Sequence, residues 1–449
     1  MGSAPGDPPL TGRRILSVWW PLAASWGLMG IEQPLVMAVV ARLDDPRIHL
    51  AAWGGVVFPL SLLIESPIIM LLAASTALSR DRPAYRHLSR FTHGAGLLLT
   101  LLHVLVAFTP LYDVVVGRLL GSPEPIREPA RLGLMLMTPW TWAIASRRFQ
   151  QGLLIRSGRS RAVGLGTAVR LVSDLLVLAV GYRLRWPGIA VAGSALATGV
   201  VCEAVWTALR VRPVVRHLPA GSGEAVLRGW GFARFYVPLA MTSLLHLLVE
   251  PIGAAAMARM PRALDSLAAW PALFGLIWVT MGTGIAYQEV VVSLLPRPGA
   301  AAALRCFTRR LLVIDAAPVL LLAASPLGAV WFARVAALPP GLATLAASAL
   351  WLGPALPALT VVHSWYQGVL VHSRLTRAIP ESLGLFLVTV TSLAAAGVWW
   401  SGAAGLHVSL VAITAGAAAQ ALWLRHRSAP ARRRHGGAAP GMGAARPAF

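Results

Sequence analysis

Apolar runs broken by short clusters of Arg, Pro and Gly recur along the whole chain. A membrane-crossing helix needs about 20 predominantly apolar residues, and twelve stretches are close to that length or longer. The first six span 15–41, 51–78, 92–110, 132–155, 163–182 and 187–209. The second six span 232–257, 267–295, 308–333, 342–371, 380–400 and 403–425. The pattern predicts an all-α polytopic membrane protein with twelve transmembrane helices. Met1 to Gly12 has no basic segment and no small-residue cleavage site close behind a short apolar core, so Ile15 onward reads as a retained first span.

Composition narrows the function classes. The chain is 57% hydrophobic and only 12% charged, against about 25% charged in soluble domains. An ordinary cytosolic enzyme and a disordered protein are both excluded. Two cysteines, Cys202 and Cys306, exclude a disulfide scaffold.

The net charge of +22 comes entirely from Arg, since the chain has no Lys. With abundant Ala, Gly and Pro, this has the look of GC-rich bacterial codon usage, so a single Arg says less than it would elsewhere. Position says more. Placing the termini and even-numbered connections on one side collects 26 of the 39 Arg there and ten on the other. The positive-inside rule then puts both termini in the cytoplasm of a bacterial inner membrane. The segment 426–449 reads as a disordered basic tail near anionic lipid headgroups, and no nucleic-acid module is present.

The chain also repeats itself. Pro21-Leu22-Ala23 returns as Pro238-Leu239-Ala240, Pro34 as Pro251, Ala41-Arg42 as Ala258-Arg259, and Ala51-Ala52-Trp53 as Ala268-Ala269-Trp270, all 217 positions on. Gln151-Gly152 returns as Gln367-Gly368 at 216. Six spans per copy make the repeats parallel, related by an axis along the membrane normal. The expected organisation is a short tail (1–14), an N-lobe (15–209), a cytoplasmic linker carrying Glu224 (210–231), a C-lobe (232–425) and the basic tail.

Two six-span repeats with a Pro-Leu start to spans 1 and 7 resemble the MOP (MATE-like) flippase and transporter superfamily. The finer resemblance is to the progressive ankylosis (ANK) family. It rests on Trp20-Pro21-Leu22 leading to Glu32-Gln33, Arg80-Asp81-Arg82, Ser173-Asp174, Val237-Pro238-Leu239, Pro251-Ile252 with Ala258-Arg259, and Glu289. That resemblance implies a MATE-like fold and export of organic or phosphate-bearing anions such as citrate, pyrophosphate or nucleotides.

Polar residues inside spans are the place to look for function, because each is costly in hydrocarbon. Arg147 and Arg148 lie nine and eight residues before Arg156, or about 12–14 Å into the bilayer. Arg147 and Gln151 share a helix face, and the repeat puts His363 and Gln367 at the matching places. Guanidinium forks bind carboxylate and phosphate, so a central basic cavity holding Arg147, Arg148, Gln151, His363 and Gln367 is expected to take a small anionic solute. The alternative is that the Arg residues pair with buried carboxylates.

Glu32, Gln33, Glu65, Glu250 and Glu289 are candidates for coupling to a proton or sodium ion, or for gating; Gln33 and Glu250 are repeat equivalents just before Pro34 and Pro251. Arg170 and Asp174 are expected to pair with each other. Glu203 and Asp315 are placed nearer the cytoplasmic ends, and His103 and His246 read as buried hydrogen-bonding histidines. Trp19, Trp20, Trp399 and Trp400 fit an interfacial belt.

No Walker A, HExxH, CxxC or GxSxG motif occurs, and Gly164-Leu165-Gly166 lacks the strand a nucleotide loop needs. No cofactor or metal is expected, and coupling would be to a gradient. The open alternatives are a lipid-linked saccharide flippase, a multidrug cation antiporter, and a membrane enzyme, for which Asp81, Asp113 and Asp174 are too scattered.

Overall fold

Every apolar run is helical in the computed structural model, and among the described residues (10–221, 226–297 and 299–436) no strand occurs. The N-lobe holds α1 (Gly12–Val40), α2 (Pro46–Leu78), α3 (Arg82–Phe108), α4 (Glu124–Arg156), α5 (Ser160–Arg183) and α6 (Gly188–Arg216). The C-lobe holds α7 (Gly229–Met257), α8 (Ala263–Leu294), α9, α10, α11 (Ala378–Trp400) and α12 (Gly405–Arg427). Helix α9 (Ala300–Ala324) bends by 82° into Pro326–Val335, and α10 bends by 48° between Pro340–Leu350 and Ala355–His372.

Nine of the described helices are long and apolar enough to cross a membrane, or eleven if each bent pair is one span. Helix α4 is outside that count. Its 33 residues reach about 50 Å at 1.5 Å per residue, but Arg147 and Arg148 interrupt its apolar stretch. The outward faces carry Leu97, Leu98, Leu101, Leu176, Val313 and Ile314, the side chains a lipid environment accepts. The protein is a multi-pass membrane protein.

The repeat is visible atom by atom. Asp45 and Arg262 are equivalent, and both sit in the left-handed region just before α2 and α8, at φ 48° and 56°. The π-helical turns Asp113–Leu119 and Trp331–Val335 also fall at matching places. Helix α7 breaks at Leu248, where Pro251 offers no N–H to the carbonyl of Leu247; α1 runs through Pro34 unbroken.

Gly152 and Gly368 show what the repeated Gln-Gly serves. A methyl on Gly152 would stand 2.5 Å from the Leu72 carbonyl oxygen and 2.6 Å from Ser75 Cβ. One on Gly368 would stand 2.6 Å from Val291 Cβ. Both are the crossing points of equivalent helix pairs, α4 on α2 and α10 on α8, where small residues let backbones approach.

The lobes meet along two equivalent seams. On one, α1 packs on α8 with Gly30 against Val279 and Gly282 against Trp26. On the other, α7 packs on α2: Ser243 Oγ donates to the Ser66 carbonyl and Tyr236 Oη to that of Pro67, each at 2.7 Å. Between the seams Gly54 faces Pro271, its own repeat equivalent, so closely that a methyl on Gly54 would stand 2.3 Å from Pro271 Cγ. Contact between equivalent positions places the pseudo-twofold axis there.

Several expectations change. Helix α6 runs to Arg216 rather than 209, and the linker start is tied to α3: Arg82 N–H donates to Pro219 O at 3.0 Å and Arg82 Nη2 to Arg216 O at 2.8 Å. Glu224 lies outside the described residues, as do 1–9 and 437–449. The basic tail is not disordered throughout. Ala429–Gly436 forms α13, Ala431 is buried, and the Arg432 guanidinium lies 5.2 Å over the Tyr366 ring. Trp20, Trp399 and Trp400 are exposed as an interfacial belt requires, but Trp19 is buried and donates its indole N–H to Thr283 O at 3.0 Å. That bond joins α1 to α8 across the seam.

Replacing Gly152 or Gly368 with Val is expected to lower thermal stability in detergent by about 1–3 kcal/mol each, the usual penalty for overpacking. Gly164→Val, where no atom lies within 4 Å of an added Cβ, is the control. Equal melting temperatures for the three variants would contradict this reading of the crossings.

Candidate functional site

A cavity of about 640 Å³ lies between the lobes. It reaches from Leu22 and Glu289, toward the terminus-side ends of α1 and α8, to Trp53 and Trp270 at the Gly54–Pro271 contact. Eight Trp and Phe side chains stand in its walls, Trp26, Trp140, Phe274 and Trp278 among them.

The N-lobe wall is built on ion pairs. Helix α4 presents Arg147 and Gln151 one turn apart, and both grip Glu203 of α6: Arg147 Nη1 lies 2.6 Å from Oε2 and Gln151 Nε2 donates to Oε1 at 2.9 Å. All three side chains are buried. Helix α5 contributes Arg170, whose fork donates to both carboxylate oxygens of Glu32 on α1, with Nε to Oε1 at 2.8 Å. Arg170 also lies 4.0 Å from Asp174 and 4.0 Å from Glu203, and 5.8 Å over the Trp140 ring. Glu65 of α2 accepts from the Trp140 indole.

Three guanidiniums therefore share a wall with Glu32, Glu65, Asp174 and Glu203. Two of the three are committed. Arg148 lines the cavity, makes no ion pair among the described residues, and leaves its Nε without a hydrogen-bond partner.

The C-lobe wall has no guanidinium among its lining residues. It presents Glu250, Glu289, His246 and His363. His363 Nε2 lies 2.8 Å from Ala417 O and, as the donor there, leaves Nδ1 as the free ring nitrogen. Trp270 lies within hydrogen-bonding reach of Glu250, and in the N-lobe Trp53 donates to Gln33 Oε1 at 3.3 Å. These pairs are repeat equivalents, so one indole–side-chain contact is kept while its acceptor changes from amide to carboxylate.

The structure brings Arg147, Arg148, His363 and the five coupling candidates Glu32, Gln33, Glu65, Glu250 and Glu289 to one cavity. It corrects the rest. Gln151 turns away to Glu203 and Gln367 lies outside the lining, so no facing amide stripes cross the cavity. Arg170 and Asp174 do not pair mainly with each other, because the bidentate partner of Arg170 is Glu32. Glu203 is not a helix-end residue but the buried clamp of Arg147. Asp315 is buried beside Gly284, with Oδ2 accepting no hydrogen bond. His103 bonds Thr141 Oγ1 at 3.0 Å as a buried histidine should, whereas His246 opens on the cavity. Glu203 stands seven residues before Arg210, against nine from Arg147 to Arg156, and because α6 runs on to Arg216 it lies deeper in its helix than that count allows.

No protein-family model matches this chain, and no curated protein matches it in sequence. Solved structures do match. A multidrug resistance MATE family transporter of the MOP superfamily in an inward-facing conformation superposes with a TM-score of 0.72 at 15% identity, covering 94% of this chain and 99% of that one. An outward-facing structure described in the same words gives 0.62 at 15% identity, covering 95% and 100%. The lipid II flippase MurJ, in an inward closed conformation, gives 0.66 at 12% identity, covering 92% and 87%.

The chain has a MATE-like fold. At these identities the likeness speaks for the fold alone.

Arg147→Ala would strand Glu203 as a buried charge, and breaking such a pair costs about 3–5 kcal/mol. A lower melting temperature in detergent is expected, with partial recovery in the Arg147→Ala/Glu203→Gln double variant. No recovery would show that Arg147 is not held there for charge compensation.

Proposed function

We propose that this chain is a secondary transporter that moves an organic or phosphate-bearing anion across the membrane by alternating access of its two lobes. The observation that carries this reading is Arg148, among the described residues the one cavity guanidinium that makes no ion pair, in a cavity whose Trp and Phe rings can hold an apolar body. The resemblance to ANK-type anion exporters points the same way. The anion enters a mixed cavity rather than a uniformly basic one, because the other two guanidiniums already have carboxylate partners. Coupling is assigned to the Glu32–Arg170–Asp174 group, where two carboxylates against one guanidinium leave room for a proton. The higher TM-score against an inward-facing MATE transporter supports a cavity that opens toward the termini.

A flippase for lipid-linked saccharides needs a lateral opening to lipid, and both seams, α1 with α8 and α2 with α7, are packed. A multidrug cation antiporter is the second reading. It is favoured by the C-lobe half of the cavity, where Glu250 and Glu289 stand among indoles without a guanidinium.

Proteoliposome uptake of radiolabelled citrate, pyrophosphate and nucleotides tests the two readings together. Arg148→Gln is expected to lower anion transport at least about tenfold, the worth of one charge-assisted hydrogen bond of roughly 1.5–3 kcal/mol. Uptake unchanged by that substitution would remove the anion reading. Transport of a lipophilic cation that Glu250→Gln abolishes would replace it with the second.

A further inference from the structure

Arg42 and Arg259, repeat equivalents that take no part in the cavity, each reach across to the opposite lobe. Arg42 stands just past the end of α1, at the face away from the chain termini. Its Nη1 donates to Ala38 O at 2.6 Å, a carbonyl of its own helix end. Its Nη2 donates to Arg334 O at 2.8 Å and Val335 O at 3.0 Å, at the end of the C-lobe π turn.

Arg259 does the same in reverse. Nη1 donates to Ala255 O of its own helix and to Leu120 O, each at 2.7 Å. Nη2 donates to Leu119 O at 2.7 Å and Arg118 O at 3.3 Å, at the end of the N-lobe π turn. Val335 and Arg118 are themselves repeat equivalents, so the two sets of bonds are one interaction made twice about the pseudo-twofold axis.

We infer that Arg42 and Arg259 are reciprocal clasps that hold the face opposite the termini shut, and that releasing both is what opens the cavity on that side. The inference rests on the alternating-access reading and adds the device that sets its resting state. The last carbonyls of any helix lack intrahelical donors and carry the negative end of the macrodipole. Each guanidinium satisfies two such ends at once, one in each lobe, which binds the lobes without burying a carboxylate.

The fit is close: Gly121, at φ +65°, leaves room where a Cβ would stand 3.0 Å from the Arg259 guanidinium carbon. The Gly54–Pro271 contact seals the axis between the same two lobes. Arg47 and Asp265 also bridge the lobes at 2.6 Å, but the repeat puts Leu264 and Ile48 at the matching places, so that pair is made once and not about the axis. Opening this face must leave the α1 and α7 end carbonyls and both π-turn ends to water. Water takes them over at modest cost, so the lock is reversible.

Spin labels at Asp44→Cys and Gly341→Cys, both exposed on this face in different lobes, report the opening in a background lacking Cys202 and Cys306. Double electron–electron resonance on detergent-purified protein is expected to give one short distance for the parent. Arg42→Gln/Arg259→Gln is expected to add a longer-distance population, with each single substitution giving a smaller and similar shift. Arg→Lys at both sites should fall between, because an ammonium lacks the planar fork.

A double variant with the parent distance distribution overturns the inference, and if it fails to fold the single variants carry the same test. Loss of the transporter reading would show as a parent protein that moves no solute, whatever the distances.

Discussion

Ionised groups cannot be left bare in hydrocarbon, and that constraint organises the centre of this protein. Three guanidiniums lie among the apolar helices of the N-lobe, each costing several kcal/mol if it faced lipid. The fold meets the requirement by drawing carboxylates from four different helices, Glu32 from α1, Glu65 from α2, Asp174 from α5 and Glu203 from α6, onto one wall between α4 and α5. Helix order in the N-lobe is tied to these pairings as well as to apolar packing. Among the described residues Arg148 is the guanidinium on that wall that the network leaves without a carboxylate, which is why the proposed solute contact is assigned to it.

The internal repeat divides the molecule along the same lines. Features kept in both halves make the scaffold: the Gly152 and Gly368 crossings, the left-handed Asp45 and Arg262, the paired π turns, and the Arg42 and Arg259 reaches across the interface. Features that differ make the cavity: Gln33 against Glu250, Arg147 against His363, Arg148 against Ser364. Symmetry lets the lobes close on each other, while broken symmetry gives the cavity one mixed-charge wall and one wall whose only formal charges are carboxylates.

Much of the architecture was legible in the chain itself. The apolar helices and the 217-residue register follow from local hydropathy and counting, because a bilayer imposes its thickness on every helix separately. Counting back from Arg156 likewise singled out Arg147 and Arg148, and the structure has both on the cavity wall. It fell short at helix ends, where α6 runs on to Arg216 and α13 follows the last span, since favourable local packing extends a helix beyond its apolar run.

Pairing was beyond reach. Helical periodicity says which residues share a face with Arg147, but not that Glu203, on the second helix after α4, comes to meet it, nor that Arg170 prefers Glu32 on α1 to Asp174 one turn away. Those choices depend on how helices distant in sequence rotate and approach in three dimensions. The sequence by itself determined an all-helical, internally repeated chain with charged side chains inside its apolar helices. Only the tertiary structure decided which charges cancel and which one is left to face the cavity, because ion pairing is set by distances of a few ångströms that no spacing along the chain encodes.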